Sequence, residues 1–308
     1  MGPILLADSR NPELRTALGE LNPALELLEA SADVEAMRRC AIWLGEPDRL
    51  VPLLRAGLRP QWLQSTWAGY RPLLAADLPR GYRLSRAVGV FGQPIAEYLL
   101  AHILEHEQQL RSRRESQHQR QWDARIPGSL FGRRLLIVGA GEIGREVARL
   151  LAPFGLRLSG VAQRPRPLEH FERVTGLDAL CREAAAADYV VNILPDTPET
   201  ADLYGARFFA ALRPSALFLN VGRGTAVVDA ALLAALREGR LAGAVLDVFR
   251  EEPLPAEHPF WAAPGMTLTG HIAGPLVPAA LARLFVDNLA RFRADEALRG
   301  EVDFAGTY

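Results

Sequence analysis

Cysteine is scarce in this chain: Cys40 and Cys181 are the only two in 308 residues. Two thiols so far apart make neither a disulfide framework nor a zinc cluster, and a reducing cytoplasm is the expected home. No uninterrupted apolar run is long enough to cross a bilayer, so no membrane association is expected. Met1 to Ala7 lacks the basic start, long apolar stretch and small-residue cleavage site of a secretory signal. Neither sign of charge is in excess. Lys plus Arg total 35 and Asp plus Glu 36, which leaves a formal charge of -1 and no broad basic surface for nucleic acid. Internal repeats and low-complexity tracts are also missing, which argues against solenoids and disordered arrays.

What the chain does contain is ordinary globular material, 49% apolar and 23% charged. Its length suggests about two domains. Short apolar runs at Ile4 to Ala7, Leu25 to Leu28, Cys40 to Leu44 and Trp62 to Ser65 read as strands. Amphipathic runs at Pro12 to Leu18, Asp33 to Arg39 and Asp48 to Arg55 read as helices between them. Such alternation predicts α/β architecture with a parallel sheet covered on both faces. A long helix is expected from Pro94 through Leu110, with a polar continuation from Glu105 to Asp123 as its solvated face. A second alternating stretch runs from Leu135 to about Thr269, and a last helix from Pro278 to Phe292.

Leu135-Leu136-Ile137-Val138 fits a buried strand and leads straight into Gly139-Ala140-Gly141-Glu142-Ile143-Gly144. An amphipathic helix through Val147, Leu150 and Leu151 follows. Each glycine answers a physical need, Gly139 for a tight turn, Gly141 for close approach of backbone to a pyrophosphate and Gly144 for packing helix on strand. The helix N-terminus attracts the phosphate charge. At the end of the next strand, Leu156 to Ala162, an acidic residue would hold the ribose 2′-hydroxyl of NAD. Gln163, Arg164, Pro165 and Arg166 stand there instead. Guanidinium groups at that point suit a 2′-phosphate, so NADP is the expected cofactor and NAD the alternative.

Three later segments carry the catalytic case: Asn220-Val221-Gly222-Arg223-Gly224, Leu246 to Pro255, and Thr269-Gly270-His271-Ile272-Ala273-Gly274. With Leu194 to Thr200, His258-Pro259-Phe260-Trp261 and the glycine-rich turn, their order and spacing closely resemble the D-isomer-specific 2-hydroxyacid dehydrogenases. Within that family the chain is most similar to the glyoxylate/hydroxypyruvate reductase type. The resemblance implies a Rossmann-type, doubly wound parallel-sheet domain, residues 96–276, inserted in a flavodoxin-like substrate domain made of residues 1–95 and 277–308. It also implies that Arg223 grips the substrate carboxylate and 2-oxo oxygen, that His271 is the acid/base with Glu252 as its partner, and that Asp247 lies near the nicotinamide carboxamide. Pro195, Thr200, Val221 and Gly222 would complete the cofactor contacts, and the assembly would be a homodimer. The chemistry asks for these residue types. Hydride arriving at a carbonyl carbon leaves negative charge on oxygen, which needs a proton donor active near neutrality and a fixed cation close by. A carboxylate beside an imidazole favours the protonated ring and orients it.

Trp67-Ala68-Gly69 occupies the place where the family's substrate loop offers backbone amides to the carboxylate. This chain departs from the family there, with Tyr70 and Arg71 after the glycine, and Gly270 replaces the proline usual before the histidine. Trp43 and Trp67 are candidate pocket walls, a buried core position being the default for each. Asp8, His118 and His170 read as ordinary surface or loop residues. His102 and His106 lie one helical turn apart without a third ligand, so no metal is expected. The expected function is reduction of a small 2-oxo acid, glyoxylate, hydroxypyruvate or similar, to the D-2-hydroxy acid. A dinucleotide-sensing, corepressor-like binding protein of the same fold is the alternative.

Overall fold

A computed structural model describes residues 2–304. The chain divides into two compact units, one running to Phe91 and resuming at Leu276, the other Gly92–Pro275. The first unit is built on strands β1 (Ile4–Ala7), β2 (Leu27–Glu29), β3 (Ile42–Gly45), β4 (Trp62–Ser65) and β5 (Arg83–Ser85), all parallel, in the order β2-β1-β3-β4-β5. That order is the flavodoxin-like one. β1, β3 and β4 are buried along their whole length, which is why β1 and β3 read as continuous apolar runs and not as alternations. Helices α1 (Asn11–Leu21), α2 (Val34–Arg38) and α3 (Pro47–Arg55) link the strands, and Pro12 and Pro47 sit in first turns where the missing N–H costs nothing. The Pro278–Arg293 helix returns to this unit, and its Phe285 stacks on Trp62 with ring centroids 5.1 Å apart. Trp43 is fully buried, with its indole N–H donated to the Cys40 carbonyl, so it is a core residue.

The second unit begins with α4 (Gly92–Glu107) and α5 (Leu110–His118) and then alternates: β6 (Arg134–Val138), α6 (Glu142–Leu151), β7 (Arg157–Val161), β8 (Arg173–Thr175), α7 (Leu180–Ala185), β9 (Tyr189–Asn192), α8 (Ala206–Ala211), β10 (Leu217–Asn220), α9 (Asp229–Arg237), β11 (Gly243–Leu246) and β12 (Met266–Leu268). The order β12-β11-β10-β9-β6-β7-β8 is parallel throughout. Counted from β6, the strands β8-β7-β6-β9-β10-β11 run 3-2-1-4-5-6, the doubly wound order that places a dinucleotide crevice beyond the carboxyl ends of β6 and β9. The core on one face gathers Val138, Val190, Phe208, Phe209 and Phe218, whose rings meet edge to face.

Two expectations are corrected. The single helix expected from Pro94 breaks at Gln109, which takes a left-handed backbone (φ 52°) and separates α4 from α5. No residue of α5 is buried, so nothing holds the two in one line, and the stretch beyond Arg120, also left-handed, is not helical. Asp8 is not a surface residue. It follows the last residue of β1 and is 5% exposed, because the loops after a parallel strand turn back over the sheet edge. His118 and His170 are exposed as expected. The three-residue strands β5 and β8 carry arginines and no long apolar run, and periodicity alone does not reveal them.

Candidate active site and dinucleotide site

β6 ends where Gly139 turns the chain with φ 111°, and the amides of Gly139 and Ala140 both donate to the Val161 carbonyl at 2.9 Å. A side chain on Gly144 would strike the Gly139 carbonyl, so α6 packs directly on the turn it follows. Gly141 is different: a Cβ there would meet nothing within 4 Å. The protein itself does not require glycine at 141, which leaves close approach by a ligand as its physical reason. Gly141 caps α6 without any side-chain hydrogen bond, so the first-turn amides keep their donors. Glu142 and Ile143 are half-buried in that turn.

Beyond β7 the segment Gln163, Arg164, Pro165, Arg166 is exposed. Among the described residues neither Arg164 nor Arg166 has a hydrogen-bond or ion-pair partner, although most arginines of this chain do. The sequence contains no lysine, so all 35 of those cationic side chains are arginines. Fixed positive charge in either site is therefore guanidinium, which stays charged at every working pH and can hold a phosphate or carboxylate through two N–H groups at once.

The Arg223 loop is built by Asn220, which opens its segment, and by Asn192, which motif reading did not single out; they end β10 and β9 and are fully buried. Asn192 Nδ2 donates to Asn220 Oδ1 at 2.8 Å, and Asn220 Oδ1 also accepts from the Gly222 amide at 3.1 Å. Asn220 Nδ2 donates to the Arg223 carbonyl, while Asn192 Oδ1 accepts from the Leu194 amide and from Tyr204 Oη. One asparagine pair thus fixes the loop carrying Arg223 and the loop carrying Pro195. Thr200, buried, closes the latter by donating to the Pro195 carbonyl at 2.7 Å. Val221 is buried, its amide on the Asn192 carbonyl. A polar side chain ending a buried strand was the available signal for both asparagines. A Cβ on Gly222 would meet the Leu194 carbonyl, and one on Gly224 would run into the Phe249 backbone. The Arg223 loop therefore lies hard against the segment that leads to Glu252. Arg223 is half-buried, and its only side-chain hydrogen bond among the described residues is to the Gly222 carbonyl, at 2.6 Å.

Glu252 uses one oxygen to accept from the Phe249 amide at 2.8 Å and the other to meet His271 Nδ1 at 2.7 Å. A carboxylate on Nδ1 fixes the ring and leaves Nε2 as the working nitrogen. The His271 side chain is 51% exposed and Glu252 35%, so the pair faces outward from the sheet edge. His271 has left-handed backbone, φ 57°, a conformation costing a non-glycine residue about 1 kcal/mol or more. Asp247 holds it there. Asp247 is 1% exposed; its carbonyl accepts from the His271 amide at 2.7 Å, and its carboxylate accepts from the amides of Ile272 and Ala273 and the hydroxyl of Thr269. Both Asp247 oxygens are thereby engaged by the histidine loop.

In the first unit, Trp67-Ala68-Gly69 follows β4 as a bend. Trp67 is 37% exposed and its amide donates to Ser65 Oγ, whereas the amides of Ala68 and Gly69 make no hydrogen bond among the described residues. His102 and His106 are held below the usual histidine range by burial, and among the described residues no group of three acids, histidines or cysteines could hold a metal.

Residues 100–273 match the model of the D-isomer specific 2-hydroxyacid dehydrogenase NAD binding domain. The chain belongs to the D-isomer specific 2-hydroxyacid dehydrogenase family. It is 34% identical over 227 residues to glyoxylate/hydroxypyruvate reductase A of Serratia proteamaculans, covering 73% of this chain and 72% of the relative. A family protein from Aeromonas salmonicida superposes with a TM-score of 0.91 at 39% identity, over 98% of this chain and 99% of the other. An NADPH-dependent glyoxylate/hydroxypyruvate reductase from Sinorhizobium meliloti, solved with NADP and sulfate, gives a TM-score of 0.85 at 27% identity over the full length of both. This family member thus carries two parallel-sheet units and the family's dinucleotide domain, and no helix among its described residues is long and apolar enough to cross a membrane.

Proposed function

We propose that the protein reduces a small 2-oxo acid of the glyoxylate or hydroxypyruvate class to its D-2-hydroxy acid, with NADPH preferred over NADH. The observation that carries this reading is the His271–Glu252 pair, 2.7 Å apart on a loop fixed by Asp247, beside an Arg223 that has no acidic partner among the described residues. A reduced nicotinamide bound at the Gly139 to Gly144 turn would supply the hydride to the carbonyl carbon. Arg223 then holds the carboxylate and the carbonyl oxygen on which charge develops. His271 delivers the proton to that oxygen, and Glu252 orients the ring through Nδ1. In the first unit Ala68 and Gly69, next to Trp67, make no amide hydrogen bond among the described residues and are proposed as donors to a carboxylate. The Gly92–Pro275 unit is in this reading the cofactor domain and the other unit the substrate domain.

NADPH preference rests on Arg164 and Arg166, exposed and without partners among the described residues where an acid would otherwise sit, with Gln163 beside them. We extend the reading to a cytoplasmic homodimer. Trp122, Ile126 and Phe131 are 95%, 91% and 83% exposed in the second unit, an apolar surface suited to a second copy, and sedimentation would detect the dimer. The deciding assay follows NADPH oxidation with glyoxylate, hydroxypyruvate and a wider 2-oxo acid panel. Turnover is expected with at least one. No oxidation across the panel would sink the enzyme reading and favour a dinucleotide-sensing binding protein.

A further inference from the structure

Tyr98 lies in α4, outside every motif that marks the site, yet its hydroxyl is 2.7 Å from Thr269 Oγ1. Thr269 donates its own proton to Asp247 Oδ1 at 2.6 Å, so the proton between Tyr98 and Thr269 must come from the tyrosine. Asp247 Oδ1 also accepts from the Ile272 amide at 2.8 Å, and Oδ2 from the Ala273 amide at 2.9 Å. A directed chain therefore runs from Tyr98 Oη through Thr269 Oγ1 to the carboxylate that holds the two residues after His271.

We propose that Tyr98 is a positioning residue for His271, acting through Thr269 and Asp247 to hold the histidine loop in its left-handed conformation. This rests on His271 being the proton donor proposed above. The tyrosine ring is packed against His102, with centroids 4.4 Å apart, so the hydroxyl is anchored from the helix side. Burial, with Asp247 adding to it, pushes the Tyr98 hydroxyl up to about 12, and burial holds His102 below the usual histidine range. The loop needs such a hold, because a histidine at φ 57° is not in a conformation it adopts unaided, and its own amide has one further tie, to the Asp247 carbonyl. Hydrogen bonds aligned in this way polarise one another, so the tyrosine strengthens the carboxylate's grip on Thr269 as well as occupying it.

The test is Tyr98→Phe, which keeps the ring and removes only the hydroxyl, alongside Thr269→Ser, which keeps a hydroxyl, and Thr269→Val, which removes it. Hydrogen exchange of the Ile272 and Ala273 amides is read first and needs no turnover. Tyr98→Phe and Thr269→Val should speed both amides roughly three- to ten-fold, the scale of one lost hydrogen bond, while Thr269→Ser stays near wild type and amides of β9 are unchanged in all three. In turnover, kcat should fall by a similar factor in Tyr98→Phe, with NADPH affinity and the KM for the 2-oxo acid nearly unchanged. Wild-type exchange at Ile272 and Ala273 in Tyr98→Phe overturns the proposal, and so does a loss confined to NADPH affinity. If the wild-type protein turns over no 2-oxo acid, the enzyme reading fails while the exchange result still decides whether Tyr98 positions the loop.

Discussion

The carboxyl ends of the two sheets are finished differently. At the ends of β9, β10 and β11 each buried polar side chain is engaged: Asn192 and Asn220 with each other and with backbone, Asp247 with two amides and a threonine. At the ends of β1 and β4, Asp8 Oδ2 and Thr66 Oγ1 are buried without hydrogen-bond partners, and the amides of Ala68 and Gly69 are unoccupied among the described residues. The stretch across β9, β10 and β11 is preorganised by its own chain, whereas the first sheet's edge, like the far end of β8 with Thr175 Oγ1, keeps buried polar groups without hydrogen-bond partners. In a reaction whose barrier is lowered by groups already aimed at developing charge, the proton donor and the cation belong on the first kind of edge.

The comparison breaks most visibly if the preorganised edge does not do the chemistry. His271→Ala should lose on the order of a hundred- to ten-thousand-fold in kcat, with NADPH affinity nearly unchanged because the glycine-rich turn is untouched. Near-normal turnover would end the mechanism. Asn220→Ala tests the scaffold beneath it. It leaves the Gly222 amide and Asn192 Nδ2 without a partner and takes one of the two hydrogen bonds from the Arg223 carbonyl, and each buried orphan costs about 1 to 3 kcal/mol. The expected result is a lower apparent Tm together with loss of kcat. An unchanged Tm would show that the asparagine pair fixes nothing.

Arg164→Ala should weaken NADPH binding roughly ten- to a hundred-fold and leave NADH binding almost unaffected, the usual scale for one charge-assisted contact. Fluorescence titration with both dinucleotides checks it, and equal affinities in the wild type would remove the preference. Glu252→Gln is subtler. It keeps shape and a hydrogen bond but takes the negative charge from beside His271. The ring then loses its anionic partner, so kcat should fall while NADPH affinity stays nearly unchanged. A wild-type kcat would remove Glu252 from its proposed role.

Much of the preorganised edge was legible in the sequence because its parts are dictated locally. Gly139 is required by its positive φ and Gly144 by contact with the turn, and both requirements act within a few residues. The Arg, Glu and His segments are short and ordered along the chain. What was hidden depends on residues distant in sequence. Asn192 and Asn220 are 28 apart, so neither position on its own shows their pairing, and Tyr98 is 171 residues from Thr269. The break at Gln109 was hidden as well, since the polar run is compatible with helix on both sides of it and the turn between depends on one left-handed residue. Asp8 misled in the opposite direction. An acid followed by Ser9 and Arg10 looks like a solvated turn, and only the sheet edge around it makes it buried.

Asp8 gives the smallest and most discriminating effect. Burial pushes its carboxyl above the ordinary carboxylate value of 3.8, and the nearby Glu46 carboxylate pushes the same way. The Arg10 amide, donating to Asp8 Oδ1, opposes this without overcoming it. A carboxyl with a folded-state pKa raised above its unfolded value favours folding while neutral. Its contribution is fully present below the unfolded value and is lost as pH rises through the folded one. Asparagine has nearly the same shape and never acquires the charge. The Tm of Asp8→Asn minus that of the wild type should therefore increase from acid pH toward neutrality, and level off once the wild-type carboxyl is fully ionised. Thermal unfolding of both proteins between about pH 4 and 8 measures that difference. A difference that is flat across the range, or that grows toward acid, would mean the carboxylate is satisfied as an anion, and the first unit's edge would then be as fully engaged as the second's.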